Sequence, residues 1–353
     1  MSMTMHAPSH TLAAPSPWIV SPRWDLSWLT FSALLVPLPI LFHSFRIGPL
    51  GIDALVTLLI GGPHMYATFL RTVFDGGFRT RHPAAAWGPV VVIPAMVLTL
   101  GLTHFEWLLS LFFTWASLHI CDQASYIAQL YRERSGGKPT LFDRGLDFTV
   151  IAGSLYLFAI HRFVNNAFSI EGYGIFFPEA LKRPWVPRAF AFAVAALVAF
   201  WLVRTVNQLT AGLVSRQYLL FMALTMGISV LVPSYLFRNE LSVTFQGFNA
   251  WHSFQYLGLT FFALNRGKAA GTVTLGFLQE LATPGRFFRF YGWNVLLTLG
   301  AGVLILAMTR FAGLPPQQCY YLVVLSILLV HYCQDAVLFA AYPEAKLITA
   351  SAG

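Results

Sequence analysis

The sequence predicts an all-α membrane protein, a bundle of about ten transmembrane helices with both termini on the cytoplasmic side. Three observations predict this class. Hydrophobic residues make up 57% of the 353 residues and charged residues only 10%, a composition that does not suit a soluble globular chain. Apolar runs of roughly 20 residues, long enough to cross a bilayer, recur along the chain. Basic residues collect in alternate loops between these runs.

Each apolar run is predicted to form one helix, because a backbone in lipid must satisfy its hydrogen bonds within its own segment. A polar tail, residues 1–22, precedes the first run; it lacks the apolar core of a signal peptide and is expected to be disordered. The transmembrane domain covers residues 23–345, and residues 346–353 form a C-terminal tail. In chain order the predicted spans are Leu26–Phe45, Leu50–Leu70, Gly88–Leu102, Trp107–Ala128, Phe148–Phe163, Ala189–Val206, Tyr218–Phe237, Leu241–Leu264, Tyr291–Thr309 and Tyr320–Ala341.

The basic residues set the predicted orientation. With the N-terminus inside, about two thirds of the 22 Lys and Arg residues fall on the cytoplasmic side, as the positive-inside rule requires. The net charge of +8 does not indicate a nucleic-acid partner, because the basic residues form no continuous block. The sequence also lacks a P-loop, a dinucleotide-binding fingerprint and a nucleophile elbow, so nucleotide-driven and acyl-hydrolase functions have no support.

Four histidines lie inside predicted spans that all run in the same direction, the second, fourth, eighth and tenth. Their distances from the following cytoplasmic ends place His119, His252 and His331 at nearly one depth. His64 is expected somewhat nearer the cytoplasm, although Pro63 can shift it by kinking the helix. Because neutral imidazole is the commonest metal ligand in proteins, we predict one metal site held by these four histidines. The alternative for each one is a simple hydrogen bond to a neighbouring helix.

Three of these histidines are followed by polar residues one helical turn later, where side chains share a helix face. They are Asp122 and Gln123 after His119, Gln255 and Tyr256 after His252, and Gln334 and Asp335 after His331. A metal-bound imidazole usually donates its second N–H to a polar group that fixes its orientation. We therefore predict that Asp122, Gln123, Gln255 and Asp335 orient the ligands, the two carboxylates being alternative ligands themselves. Tyr256 is predicted to donate a proton or hydrogen bond to bound oxygen or substrate.

Four short motifs surround the histidines: Gly61-Gly62-Pro63-His64, Leu118-His119 followed by Asp122, Trp251-His252-Ser253, and Val330-His331 followed by Asp335. Together they resemble the Brp/Blh family of membrane carotenoid dioxygenases. The resemblance implies a helical membrane bundle that holds a non-haem iron through histidines and cleaves β-carotene to retinal. Where the family has a second histidine after its third ligand, this chain has Tyr256, and it lacks the proline before His331. The resemblance therefore implies that His331 replaces the missing ligand, or that the metal and reaction differ.

The sequence thus favours a multi-pass membrane metalloenzyme, a non-haem Fe(II) oxygenase or related oxidoreductase. Its substrate would be an apolar molecule from the bilayer, such as a carotenoid, hydrocarbon or lipid. Ligand type alone leaves copper and zinc open as alternatives to iron. Two other functions use the same residues: a proton- or cation-coupled transporter with a His/Asp cluster at mid-membrane, and a haem b protein with two axial histidines. The expected location is a bacterial inner membrane, and the oligomeric state stays open.

Overall fold

The computed structural model describes residues 16–136, 139–170, 172–234, 241–271, 273 and 275–341, and these ranges are almost wholly helical. A short antiparallel hairpin pairs β1 (Ser169–Ile170) with β2 (Tyr173–Gly174), followed by a 3-10 turn at Glu179–Leu181. The helices are α1 (Pro22–Ser44), α2 (Pro49–Arg71), α3 (Gly76–Arg81), α4 (Pro83–Thr103), α5 (Phe105–Arg134), α6 (Leu141–Val164), α7 (Val186–Thr210), α8 (Arg216–Leu231), α9 (Leu241–Ala269), α10 (Gly276–Leu281), α11 (Phe287–Phe311) and α12 (Pro316–Ala341).

The protein is an integral, multi-pass membrane protein, as predicted. Within the described ranges, 7 helices are long and apolar enough to cross a membrane, namely α1, α2, α4, α6, α7, α11 and most of α12. Helices α5 and α9 are long but carry more polar residues, and α8 is apolar but short. Each predicted span overlaps one of these helices, although the end of Tyr218–Phe237 lies outside the described residues. The count of about ten spans and the side of each terminus stay predictions.

Several helices begin where the sequence offers a start signal. Proline occupies the first turn of α1, α2, α4 and α12, where its missing N–H costs no helical hydrogen bond. Helix α6 begins with a capping box, in which the side chains of Thr140 and Asp143 each bind the other residue's backbone N–H. Ser215 caps α8 by accepting a hydrogen bond from the backbone N–H of Tyr218.

Residues Thr57–Gly61 form a π-helical turn directly before Gly62-Pro63, close to where the sequence predicts that Pro63 can kink the helix. Pro63 has no N–H for the carbonyl of Leu59, and the hydroxyl of Tyr291 on α11 donates to that oxygen instead, at 2.6 Å. The Gly62 N–H bonds back to the carbonyl of Thr57, one residue further than in an α-helix. A Cβ on Gly62 would lie 2.2 Å from the Thr298 methyl carbon, so α2 and α11 pack closely because this position has no side chain. The turn continues the helix and carries His64 into the bundle.

One end of the bundle is fixed by the buried carboxylate of Asp147, near the start of α6. It accepts hydrogen bonds from Arg132 Nε near the end of α5 at 2.9 Å, from Trp201 Nε1 on α7 at 3.1 Å and from the hydroxyl of Tyr218 on α8 at 2.6 Å. Gln129 Nε2 donates to the same carboxylate at 3.0 Å. The end of α5, the start of α6, the later part of α7 and the start of α8 therefore meet at one side of the bundle.

The opposite side joins the other ends of the same helices. Arg162, near the end of α6, donates to the backbone carbonyls of Pro233 and Ser234, just after α8, at 2.8 and 3.0 Å. The β hairpin lies here as well, with the ring of Tyr173 5.0 Å from that of Phe105 at the start of α5. Helices α5 to α8 therefore alternate in direction, as consecutive membrane spans do.

The segment just before α1 is packed against the bundle. Ile19 is fully buried, and its N–H and that of Val20 donate to the Asp25 carboxylate at 2.8 and 3.0 Å. Arg134 at the end of α5 donates to the Ile19 carbonyl at 2.8 Å. Of the predicted N-terminal tail, residues 1–15 lie outside the described residues, as does the predicted C-terminal tail, residues 346–353.

The four helices that carry the predicted ligands occupy the centre of the bundle. Helix α2 packs against α9 and α12, and α12 also packs against α5. Helices α7 and α11 lie at the periphery, and only 17% of the most apolar stretch of each helix is buried inside the protein. They expose large apolar side chains such as Phe192 and Leu306, as expected of surfaces that face lipid. The fold thus surrounds a central group of polar side chains with apolar helices.

Candidate metal centre

The structure brings the four predicted histidines together in the interior of the bundle. His64 lies 4.3 Å from His331 and 4.9 Å from His252, measured between ring centroids. His119 lies 5.0 Å from His331 and 5.1 Å from His252. None of the four is more than 7% exposed. His64, which the sequence placed nearer the cytoplasm, lies in the same group.

Three of these side chains have the spacing of metal ligands. His64, His119 and His331 each offer one nitrogen, and these nitrogens all lie within 4.8 Å of one another. Two nitrogens that bind the same ion at about 2.1 Å are separated by roughly 3 to 4 Å, so a modest inward movement of the rings completes such a site. His252 lies against His64 and His119, with ring centroids 4.9 and 5.1 Å away, but it is not one of the three residues whose nitrogens share this spacing.

One nitrogen on each of these three rings lacks a hydrogen-bond partner. Among the described residues, His64 Nδ1, His119 Nε2 and His331 Nε2 are buried without one, and so is Asp335 Oδ2. A buried polar atom left unpaired costs about 1–3 kcal/mol, and these atoms lie in one small region. His119 Nε2 is 3.9 Å from Asp335 Oδ2. A cation among these atoms would remove the cost at each of them, so the side chains present fit a bound metal.

A network of side chains fixes the tautomer of His331. Its Nδ1 lies 2.6 Å from the Thr68 hydroxyl, which in turn donates to Asp335 Oδ1 at 2.9 Å. The hydroxyl of Tyr256 donates to the same Asp335 oxygen at 2.5 Å. Because Thr68 gives its proton to Asp335, it accepts from His331 Nδ1–H. The other nitrogen, Nε2, is then unprotonated and carries the lone pair that a metal requires.

Two aromatic rings pack against the imidazoles. Tyr332 stacks on His119 with its centroid 4.2 Å away and the planes inclined by 26°. The ring of Tyr256 stands edge-on to His64 at 4.4 Å. Tyr256, one helical turn after His252, contacts His64 and binds Asp335. These rings limit the rotation of the imidazoles they touch.

The other predicted orienting residues lie elsewhere. Asp122 is a partly exposed carboxylate paired with Arg144 at 3.3 Å, and Gln255 donates to the backbone carbonyl of Leu29 on α1 at 3.0 Å. Gln123 is fully buried and donates to the backbone carbonyl of His252 at 3.1 Å, which links α5 to α9. The structure therefore brings Asp335 and Tyr256 into the group, places Gln123 beside it, and leaves Asp122 and Gln255 outside.

Helix geometry explains this division. A residue four positions after a histidine is rotated about 40° from it around the helix axis, whereas a residue three positions after it is rotated about 60° the other way. Every histidine helix turns its fourth following residue towards the group: Thr68, Gln123, Tyr256 and Asp335. The third following residues, Asp122, Gln255 and Gln334, bind neighbouring helices instead.

Thr68 and Tyr332 are the residues that the sequence interpretation missed. Threonines on membrane helices often bond to the carbonyl four residues earlier, so a single one gives little signal. Thr68 has the same spacing from His64 that Asp335 has from His331, and this parallel was the available clue. Tyr332 directly follows a ligand and has no spacing that marks it.

Comparisons of the chain with protein-family models, with curated proteins and with solved structures find no match. The family resemblance carried by the four histidine motifs therefore stays a prediction.

Proposed function

We propose that the protein is a membrane metalloenzyme that holds a non-haem iron in the middle of the bundle and oxidises an apolar molecule. His64, His119 and His331 would bind the ion, with His252 as the fourth ligand. The observation that carries this proposal is the convergence of unpaired, fully buried imidazole nitrogens from three helices. Burying such atoms side by side without a cation is costly, and a structural role for each histidine alone does not explain why they meet.

Iron is favoured because nitrogen ligands with remaining open positions suit dioxygen activation, which is the chemistry that bound Fe(II) would supply here. In the cleavage of β-carotene to retinal, which the motif resemblance implies, both atoms of dioxygen end in the product aldehydes. The chain's own residues have supporting parts in this proposal. Thr68 and Asp335 hold His331 in the tautomer that exposes Nε2. Burial of the whole group keeps bulk water away from the reacting atoms.

The compactness of the group supports a single ion over a haem. A haem requires a flat slot as wide as its macrocycle between two axial imidazoles. The ring centroid of His64 lies 4.3 to 6.4 Å from those of the other three histidines, and Tyr256 and Tyr332 pack directly against His64 and His119. The described side chains around the histidines thus occupy the space that a macrocycle would need.

Metal analysis tests the proposal. Protein purified after expression in iron-supplemented medium should retain iron in stoichiometric amount through gel filtration and show no Soret band. The variants His119→Ala and His331→Ala should lose most of it, whereas His161→Ala, at an exposed position on α6, should keep it. Retention by a His119→Ala/His331→Ala double variant, or iron far below stoichiometry in the wild type, would overturn the proposal.

Activity is measured separately, as dioxygen uptake by the iron-loaded protein with β-carotene in detergent micelles. Uptake with formation of retinal, absent from the His331→Ala variant, is the expected result. A proteoliposome flux of protons or divalent cations without oxygen uptake would instead support a transporter built on the same residues.

A further inference from the structure

A narrow cavity of about 60 Å³ lies beside the histidine group, between the four helices that carry the ligands. Each of these helices contributes the residue two turns before its histidine, and these four residues are Thr57, Phe112, Phe245 and Val324. The cavity lining nearer the histidines includes Gly61, Asn249 and Leu328, each one turn before the histidine of its own helix. Because positions one and two turns apart share a helix face, the cavity is stacked directly on the proposed metal centre, towards the N-terminal ends of all four helices.

The cavity has one polar and one apolar wall. Thr57 on α2 and Gln246 and Asn249 on α9 form the polar wall, with Asp53 at its far end. The apolar wall consists of side chains from α5 and α12, including Phe112, Phe113, Val324, Leu325 and Leu328. Tyr320 joins the walls, since its hydroxyl lies 2.7 Å from that of Thr57. A molecule that fills this space therefore needs an apolar body with a polar group on one side.

The polar wall offers hydrogen-bond donors. Asn249 accepts from the Ser253 hydroxyl at 3.3 Å and donates to Gln246 Oε1 at 3.2 Å. A carboxamide carries two N–H donors, so this arrangement uses one donor of Asn249 and none of Gln246. Both amides line the cavity and are partly accessible. Their remaining donors suit an acceptor oxygen, as in a hydroxyl or carbonyl group.

Gly61 forms the end of the cavity next to the histidines. Its backbone is helical, with φ −65° and ψ −47°, so any L-residue can adopt it. A Cβ built there would lie 3.5 Å from Asn249 Nδ2 and 3.6 Å from the Val56 carbonyl oxygen, which are ordinary contact distances. Alanine therefore fits, while a longer side chain would extend into the space between the cavity and His64, one turn further along α2.

We propose that this cavity binds the oxygen-bearing end of a linear apolar molecule, the oxygen being a hydroxyl or carbonyl group, and that Gly61 leaves open the passage by which the chain reaches the histidines. The proposal rests on the proposed function and narrows its substrate class, so an oxygen-bearing chain should support faster dioxygen uptake than the hydrocarbon β-carotene. A volume of about 60 Å³ holds only a short segment of chain, which favours the end of an acyl or isoprenoid chain over the rigid ring system of a sterol. Asn249 and Gln246 would bind the oxygen, and Phe112 and Leu328 would contact the chain.

Photolabelling tests the proposal, with a diazirine-bearing long-chain alcohol as the probe and a diazirine sterol as comparison. The alcohol should label peptides of α5, α9 and α12 around the cavity, and unlabelled long-chain alcohol should compete where an alkane of equal length does not. Asn249→Leu and Gly61→Leu should each lower this labelling at least several-fold, and the smaller Gly61→Ala should lower it less. The matched control Gly300→Leu, on lipid-facing α11 with no atom near its Cβ, should leave it unchanged.

Labelling confined to the peripheral helices α7 and α11, or equal labelling of the Gly61 and Asn249 variants and the wild type, would overturn the proposal. Metal content is measured on the same samples, and neither variant removes a proposed ligand. If the variants retain iron and are labelled at the cavity as strongly as the wild type, the cavity assignment is wrong and the proposed function is unaffected. If the wild type is labelled at the cavity but binds no metal, the proposed function is wrong and the cavity assignment is unaffected. If Gly61→Leu does not fold, Gly61→Ala replaces it in the test, because its Cβ makes only ordinary contacts and it should still lower the labelling.

Discussion

The Thr68 hydroxyl fixes which nitrogen of His331 carries the proton. Thr68 Oγ1 is 2.6 Å from Nδ1, whereas the nearest approach of Asp335 Oδ2 to that nitrogen is 3.5 Å. The carboxylate therefore acts mainly through Thr68, and it also accepts from Tyr256. One buried charge is thereby shared by two hydroxyl donors and oriented towards two imidazoles. Replacing such an outer partner typically lowers metal affinity 10- to 100-fold.

Thr68→Val tests this relay with nearly unchanged side-chain volume. Removing the hydroxyl leaves His331 Nδ1 without its acceptor, so the favoured tautomer is lost and metal affinity should fall roughly 10- to 100-fold. Competition with a chelator of known affinity measures the change.

The matched control is Thr72→Val on the same helix. The Thr72 hydroxyl lies 2.7 Å from Gln334 Oε1 and 2.8 Å from the Thr68 carbonyl oxygen, two acceptors that share its single proton, and it makes no bond to an imidazole. Its loss should lower stability without the loss of metal affinity. Equal losses of metal affinity in both variants would contradict the relay.

Asp122→Asn separates the two carboxylates that the sequence treated alike. Asp122 pairs with Arg144 in a partly exposed position, and surface pairs of this kind contribute only about 0–1 kcal/mol. We expect unchanged iron content and little change in unfolding temperature. Asp335→Asn should lower iron content sharply, because Asp335 lies against two imidazoles. Iron loss from the Asp122 variant alone would show that the roles are reversed.

At the scale of helices, the long elements were predictable from the sequence because apolar runs, proline starts and flanking charges are local signals. Which polar residue of a helical turn faces the centre was not predictable. The sequence placed Asp122 and Asp335 on equal terms, and the choice depends on how each helix is rotated against its neighbours. The convergence of the four histidines was predictable only through their common depth and direction, since spacing within one helix carries no information about the next.

The π-helical turn of α2 is the element that positions His64. It depends on Pro63, on the Tyr291 hydroxyl that binds the freed Leu59 carbonyl, and on the missing side chain at Gly62. Gly62→Val places a Cβ 2.2 Å from the Thr298 methyl carbon, which forces α2 and α11 apart. Overpacking of this kind costs about 1–3 kcal/mol. We expect a lower unfolding temperature in detergent together with lower iron content.

Gly292→Val on α11 is the control, because no atom lies near its Cβ. It adds the same side chain to the same pair of helices at a surface that faces outward, so unfolding temperature and iron content should stay close to those of the wild type. An equally destabilised control would show that the close packing of α2 and α11 at Gly62 is not the cause.

At the scale of the whole molecule, two buried polar groups have different characters. The Asp147 carboxylate is saturated, with donors from Gln129, Arg132, Trp201 and Tyr218. It joins four helix ends and has a structural role. The histidine group is unsaturated, with unpaired atoms on three imidazoles and one carboxylate. The Asp147 carboxylate therefore holds helix ends together, whereas the unpaired atoms of the histidine group are those that the proposed metal would bind.

Asp147→Asn should therefore act on stability and not on metal binding. It leaves the buried guanidinium of Arg132 without its main counter-charge, and breaking a buried pair typically costs about 3–5 kcal/mol. Unfolding in detergent should shift accordingly, while the protein that stays folded should keep its iron. Loss of iron at a temperature where the variant remains fully folded would contradict this separation of roles.

Composition and charge distribution predicted the membrane class and the alternation of helices that the structure bears out between α5 and α8. The cavity above the histidines was beyond sequence interpretation, because its walls come from four helices distant in the chain. Its lining includes the residue two turns before each histidine and, on three of the four helices, a residue one turn before it, a register that depends on how the helices lie side by side. Both features follow from the parallel direction of the four helices. It places their histidines at one level and the residues before those histidines around one cavity.

The most direct test of the central claim is X-ray absorption spectroscopy at the iron edge on purified, iron-loaded protein. We expect nitrogen and oxygen ligands around the iron, with the multiple-scattering signature of three to four imidazoles. His252→Ala and His331→Ala should each reduce the imidazole contribution, whereas His161→Ala should not. An iron site with sulfur ligands, with the scattering pattern of a porphyrin, or with no imidazole contribution would contradict the central claim.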